Sequence, residues 1–156
     1  MAIEKVREYF KQFGIENKIL EFEVSSATVE LAAAALGCEP KRIAKSLTFV
    51  GPSGPIMIVA AGDARIDNSK YKAQFGLKAK MLSFEEAESL VGHAVGGVCP
   101  FATNEGVQVF LDNSLKRFDF VFPACGSSNS AIKLSIPELE KYSNFTAWVD
   151  VCKDWQ

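Results

Sequence analysis

Arg42-Ile43-Ala44-Lys45-Ser46-Leu47-Thr48-Phe49-Val50 reads as a β-strand that carries a charge on its apolar side. Side chains alternate faces along a strand, so Ile43, Leu47 and Phe49 share one face, and Lys45 shares it with them. An ammonium there points toward the core, where charge is costly unless it is paired or lines a polar cavity. Lysine is among the residues least often buried, so an inward-facing one in a strong strand is a site candidate. A second reading stays open: the strand ends early, or a bulge turns Lys45 out to solvent.

Working outward, Gly51-Pro52-Ser53-Gly54-Pro55 is a dense turn signal, and Ile56-Met57-Ile58-Val59-Ala60-Ala61 is apolar on both faces. The two strands form a hairpin whose second member is central in its sheet. Upstream, Ile3, Val6, Phe10 and Phe13 recur at helical spacing up to Gly14, and Leu20, Phe22 and Val24 alternate as in a half-buried strand. Ser25, Ser26 and Thr28 offer N-caps to a helix with Val29, Ala32, Ala33 and Leu36 inside, stopped by Gly37, and Pro40 blocks its continuation.

Downstream, Asp67 caps a helix through Tyr71 and Phe75, closed by Gly76. Lys80-Met81-Leu82 is a short strand, and Ser83-Phe84-Glu85-Glu86 is a capping box opening a helix with Phe84, Ala87, Leu90 and Val91 inside. Val107, Val109 and Leu111 alternate. Phe118, Phe120 and Phe122 form a period-two stripe that reads as core, since no basic residue interleaves it. Ile132, Leu134 and Ile136 make another strand, Ser135 with Glu138 opens a short helix through Leu139, and Ala147 to Val151 is a final strand. No regular βαβ rhythm appears, so the expectation is an α+β domain over residues 1–156, with a curved, barrel-like mixed sheet flanked by helices.

The chain has 156 residues, 48% hydrophobic and 23% charged, which suits one domain with a real core. A formal net charge of -2 argues against non-specific nucleic-acid binding through a basic surface. It still permits a local patch, from Lys41, Arg42 and Lys45 or from Arg65, Lys70 and Lys72, touching only an RNA end. Cys38, Cys99, Cys125 and Cys152 are too far apart for a CxxC knuckle, and a single histidine leaves no zinc-like ligand set, so no metal or cofactor is expected. Neither a signal peptide nor a membrane span is visible, and a reducing cytoplasm is the consistent setting.

Val95-Gly96-Gly97-Val98-Cys99-Pro100-Phe101 is the second unusual stretch. Its glycines allow a close approach of backbone to a ligand and Pro100 fixes the chain beyond them. Such a loop can present N–H groups to a carboxyl or ester oxygen, although an ordinary tight loop explains it equally. Ala124 to Ser130, around Gly126, is a small-residue loop whose serines read as turn chemistry. His93 is the only residue on which a Ser-His-Asp arrangement could be built, and with no GxSxG elbow it reads as structural.

Taken in order, Ala34-Ala35-Leu36-Gly37, Ile43-Ala44-Lys45-Ser46-Leu47, Gly62-Asp63-Ala64-Arg65-Ile66-Asp67, Gly96-Gly97-Val98-Cys99-Pro100 and the Gly126 loop resemble the YbaK/ProX/EbsC family. These are aminoacyl-tRNA editing domains related to the editing insertion of bacterial prolyl-tRNA synthetases, and the resemblance runs from Ser26 to Leu139. It implies hydrolysis of the ester joining a wrong, small amino acid to a tRNA, with the acceptor end of mischarged tRNA as partner and a synthetase as a further one. The family's essential lysine falls on Lys45, its GxxxP motif on Gly96 through Pro100, and its glycine loop near Gly126. By the same resemblance, the lysine holds the substrate near the 3′-terminal adenosine and the substrate's free ribose hydroxyl positions the attacking water. Cys99, where relatives carry small residues, reads as pocket lining. Neither Ser46 nor Ser127 to Ser130 inherits a role. Two other readings remain: a non-catalytic module for an aminoacyl or nucleotide group docking on a synthetase, and an esterase for a small non-RNA ester.

Overall fold

The computed structural model describes residues 2–23, 28–94 and 96–155. The expectations at Val24, Ser25, Ser26 and Val95 lie outside the described residues. Helix α1 (Ala2–Lys11) buries Val6 and Phe10, and β1 (Leu20–Glu21) is only two residues long, with Leu20 exposed rather than half-buried. Helix α2 (Val29–Leu36) begins where the Thr28 hydroxyl accepts from the Leu31 N–H at 3.1 Å and ends at Gly37 in the left-handed region.

The strand of Lys45 is β2 (Ile43–Gly51), and it pairs antiparallel with β3 (Gly54–Ala61), Lys45 opposite Ala60. Ile56 through Ala61 are all buried, as an unbroken apolar run requires of a central strand. Complete burial of each Ile, Val or Met is worth about 1.5–3 kcal/mol relative to exposure. After β4 (Arg65–Ile66), Asp67 caps α3 (Asn68–Phe75) by accepting from the Ser69 and Lys70 N–H groups. The Ser83 capping box opens α4 (Phe84–Glu86), which widens into a π-helical turn over Ala87–Val91.

That widening corrects the expectation for this helix. Ala87 and Val91 are buried, but Phe84 is 72% exposed and Leu90 43% exposed. The remaining elements are β5 (Gln108–Asp112), β6 (Phe120–Pro123), β7 (Ser130–Ala131), β8 (Leu134–Ser135), α5 (Ile136–Ser143), β9 (Ala147–Val149) and β10 (Cys152–Lys153). Ile136 does not extend a strand through Ile132, because the Ser135 cap and a proline in the first turn give it to α5. The final strand expected from Ala147 to Val151 stops at Val149. Phe118 closes a 3-10 turn ahead of β6, so the aromatic stripe is shorter as a strand than its alternation suggests.

Six strands form one mixed sheet in the order β8, β6, β2, β3, β5, β9. The β2–β3 and β6–β8 pairs are antiparallel, while β2–β6, β3–β5 and β5–β9 are parallel. The sheet curls into a half-barrel with helices around it, the α+β architecture anticipated from the chain. One irregularity positions the site. Strand β6 meets β2 only at Ile43 and Ala44. Farther along that edge the Lys80–Leu82 segment makes a single bridge, Met81 to Phe49, instead of a strand. There the Val50 N–H donates to the Lys80 carbonyl at 2.8 Å, and the Leu82 N–H to the Thr48 carbonyl at 3.1 Å. Between these contacts, on the edge of β2 away from β3, no strand among the described residues pairs with Lys45 to Leu47.

Candidate active site

The gap beside β2 opens into a cavity of about 480 Å³. Because a strand edge rather than one face borders it, consecutive residues Ile43 to Thr48 all line it. Across from them stand Thr28, Val29 and Ala32 of the α2 region, Gly96 and Val98 of the glycine loop, and Ser130. Met81 and Phe84, both largely exposed, line it as well. Phe122 adds an aromatic wall, packed on Ala32, Ala33 and Ile43 in a small cluster of its own.

Lys45 is half-buried, and its ammonium donates to the Ala64 carbonyl and, at 3.5 Å, to the Gly62 carbonyl. Burial pushes its pKa below the ordinary lysine value, offset in part by Cys152 and the nearby Asp63 carboxylate. The carbonyls that hold it flank Asp63, and Asp63 is itself clamped. Arg117 donates from Nη2 to Asp63 Oδ1 at 2.6 Å and from Nη1 to Oδ2 at 2.9 Å, and its hydrogen bonds hold the carboxyl below the usual range. Arg117 Nε also donates to the Ser114 carbonyl at 2.8 Å. The Ser114 hydroxyl accepts from the Ala61 N–H at 3.1 Å, fixing the last residue of β3. Buried Asp112 accepts from the Ser114 and Val151 N–H groups at 2.9 and 3.0 Å. The 112–117 segment thus grips the turn that carries the lysine's acceptors. Nothing in the local pattern at Asp63 points to Arg117, 54 positions away, so sequence reasoning missed this clamp.

The two loops singled out in the sequence touch backbone to backbone. A Cβ on Gly97 would lie 2.6 Å from the Gly126 carbonyl carbon and 2.6 Å from the Ser127 nitrogen, so only glycine fits. Gly126 itself has φ of 94°, a conformation L side chains rarely adopt. Gly96 and Val98 reach the cavity, whereas Gly97, Cys99 and Pro100 are buried behind it. Burial pushes the Cys99 thiol up to about 12, so it holds no thiolate at neutral pH.

His93 is fully buried and held neutral by burial, and its Nε2 lies 2.7 Å from the Phe101 carbonyl, which fixes the proton there. It ties down the far end of the glycine loop. Ser127 Oγ lies 2.9 Å from Asn129 Oδ1 and 2.7 Å from Ser130 Oγ, while Asn129 Nδ2 donates to the Phe22 carbonyl at 2.9 Å, so these side chains fasten their own loop. Around Phe120, Arg42 and Lys133 sit 4.3 and 4.2 Å from the ring centroid, so basic groups absent from the local sequence come in from elsewhere in the chain. Among the described residues no group of three or more His, Cys, Asp or Glu is placed to hold a metal ion, and no helix is long and apolar enough to cross a membrane.

The model of the aminoacyl-tRNA editing domain matches residues 23–142, and the chain belongs to that family. Bacillus subtilis YwhH, itself uncharacterised, is 54% identical over 157 residues that span all of both chains. The proline–tRNA ligase of Thermosipho melanesiensis is 39% identical over 126 residues, covering 80% of this chain but only 22% of the ligase. A crystal structure assigned provisionally as a trans-editing enzyme for prolyl tRNA synthetase has a TM-score of 0.87 at 28% identity, with 97% of each chain covered.

Proposed function

We propose that this protein is a freestanding hydrolase that deacylates mischarged tRNA, removing a small amino acid from tRNA-Pro or a related tRNA in the cytoplasm. The observation that carries the reading is one cavity in which a half-buried lysine and a glycine-backbone wall meet. In this reading Lys45 anchors the acceptor end, Gly96 and Val98 present backbone to the oxyanion that forms as water attacks the ester carbonyl, and Gly97, Cys99, Pro100 and Gly126 hold that wall in shape from behind. One donor to an oxyanion is worth about 100- to 1,000-fold in rate. The substrate's free ribose hydroxyl orients the water, so the protein needs neither a nucleophile of its own nor a cofactor. The net charge of -2 fits contact limited to the acceptor end, with a synthetase as the partner that supplies further grip.

The test is a deacylation panel of mischarged tRNAs beside free amino-acid esters. Rapid release of a small amino acid from tRNA, with free esters poorly cleaved, is the expected result. Saturable binding without hydrolysis would replace the proposal with a binding module, and equal turnover of free esters would replace it with a general esterase.

A further inference from the structure

We infer that the main chain of Ser46, rather than any side chain, reads the base of the terminal adenosine, with its N–H donating to a ring nitrogen and its C=O accepting from the exocyclic amine. This rests on the deacylase reading for the identity of the occupant. The geometry rests on the sheet. The Thr48 carbonyl and the Val50 N–H both point away from β3, since they bond the Lys80–Leu82 segment. Strand geometry repeats every two residues, so the N–H and C=O of Ser46 point to the same edge. That edge is where β6 has already left, at Ala44, and where Met81 has not yet arrived, opposite Phe49. Ser46 lines the cavity there.

A donor and an acceptor side by side on a strand are costly to leave dry and unpaired. The open stretch covers three residues, about 10 Å of strand, too short to seat an added peptide strand through more than one residue. It suits a flat heterocycle that presents one acceptor and one donor on one edge. Adenine does so through its amine and either neighbouring ring nitrogen. Leu47, Leu82, Val29 and Phe122 give the cavity apolar lining of the kind a base plane requires, alongside the polar Thr28, Thr48 and Ser130. Hypoxanthine carries a carbonyl where adenine has its amine, so it faces the Ser46 carbonyl with a second acceptor.

The test uses the 15N-labelled wild-type protein titrated with adenosine and with inosine. The Ser46 amide resonance is expected to shift with adenosine and to stay in place with inosine. An amide that ignores adenosine, or responds equally to both, overturns the inference, and it does so even if mischarged tRNA is still deacylated. An adenosine-selective shift in a protein that hydrolyses no aminoacyl-tRNA would support the inference while removing the proposed function. Ser46→Pro deletes the N–H on the open edge without touching the β3 ladder, which the odd-numbered residues carry. A folded Ser46→Pro protein is expected to bind adenosine about 10-fold more weakly, roughly the worth of one hydrogen bond. Unchanged adenosine binding by that folded variant overturns the inference.

Discussion

Lys45 is held by two backbone carbonyls and by the field of Asp63, not by a carboxylate in direct contact. Asp63 raises its affinity for a proton against the larger opposing effect of burial. Asp63→Asn should therefore lower the Lys45 pKa further, visible as an earlier alkaline titration of its Cε resonance in 13C-lysine-labelled protein. An unmoved titration would show that the carboxylate does not act on the ammonium. At the glycine contact, Gly97→Ala forces a methyl into the Gly126–Ser127 backbone. Overpacking of this kind costs about 1–3 kcal/mol, to be read from the urea midpoint. Parity put Lys45 on one face with Ile43, Leu47 and Phe49 but left open a bulge that would turn it to solvent; the structure keeps it within β2, half-buried. Arg117 was not legible, because its partner Asp63 is brought to it only by folding.

Among the elements, those announced by caps were the most legible. Thr28, Gly37, Asp67, Ser83 and Ser135 each do locally what their side chains or backbone freedom dictate. Ser135→Ala removes half of a capping box whose two bonds are 2.9 and 3.2 Å. It should cost about 1 kcal/mol of stability and leave catalysis alone, since α5 contributes nothing to the cavity wall. A matched pair of denaturation curves and turnover assays checks both halves of that expectation. What local pattern could not show was where strands stop pairing. Phe118 to Phe122 alternate as if in one strand, yet β6 starts at Phe120 and leaves β2 after two residues. The π-helical turn escaped for a related reason: a capping box fixes how a helix begins, not how its later turns wind.

For the molecule as a whole, folding buries Cys99, Cys125 and Cys152, none of them in a strand of the six-stranded sheet. Burial raises Cys99 and Cys152 to about 12 and moves Cys125 upward as well. In the unfolded chain a thiol ionises near about 8.5. These groups therefore contribute stability that is complete below that pH and is lost as pH rises toward the folded-state value. Between pH 8.5 and 10, Cys99 alone should cost on the order of 2 kcal/mol. Urea midpoints should fall over this interval, and less steeply in Cys99→Ala; a flat profile would contradict the burial. The fold class followed from alternation and turns. The cavity did not, since it depends on three segments far apart in sequence ending beside one strand edge.

Lys45, which lines the cavity from β2, is the residue on which the proposed chemistry depends. Single-turnover deacylation of a mischarged tRNA should be compared between the wild-type protein and Lys45→Ala, with thermal unfolding of both recorded alongside. The expected result is a loss of more than about 100-fold in rate with the cooperative unfolding transition retained. Wild-type turnover by a folded Lys45→Ala protein would contradict it.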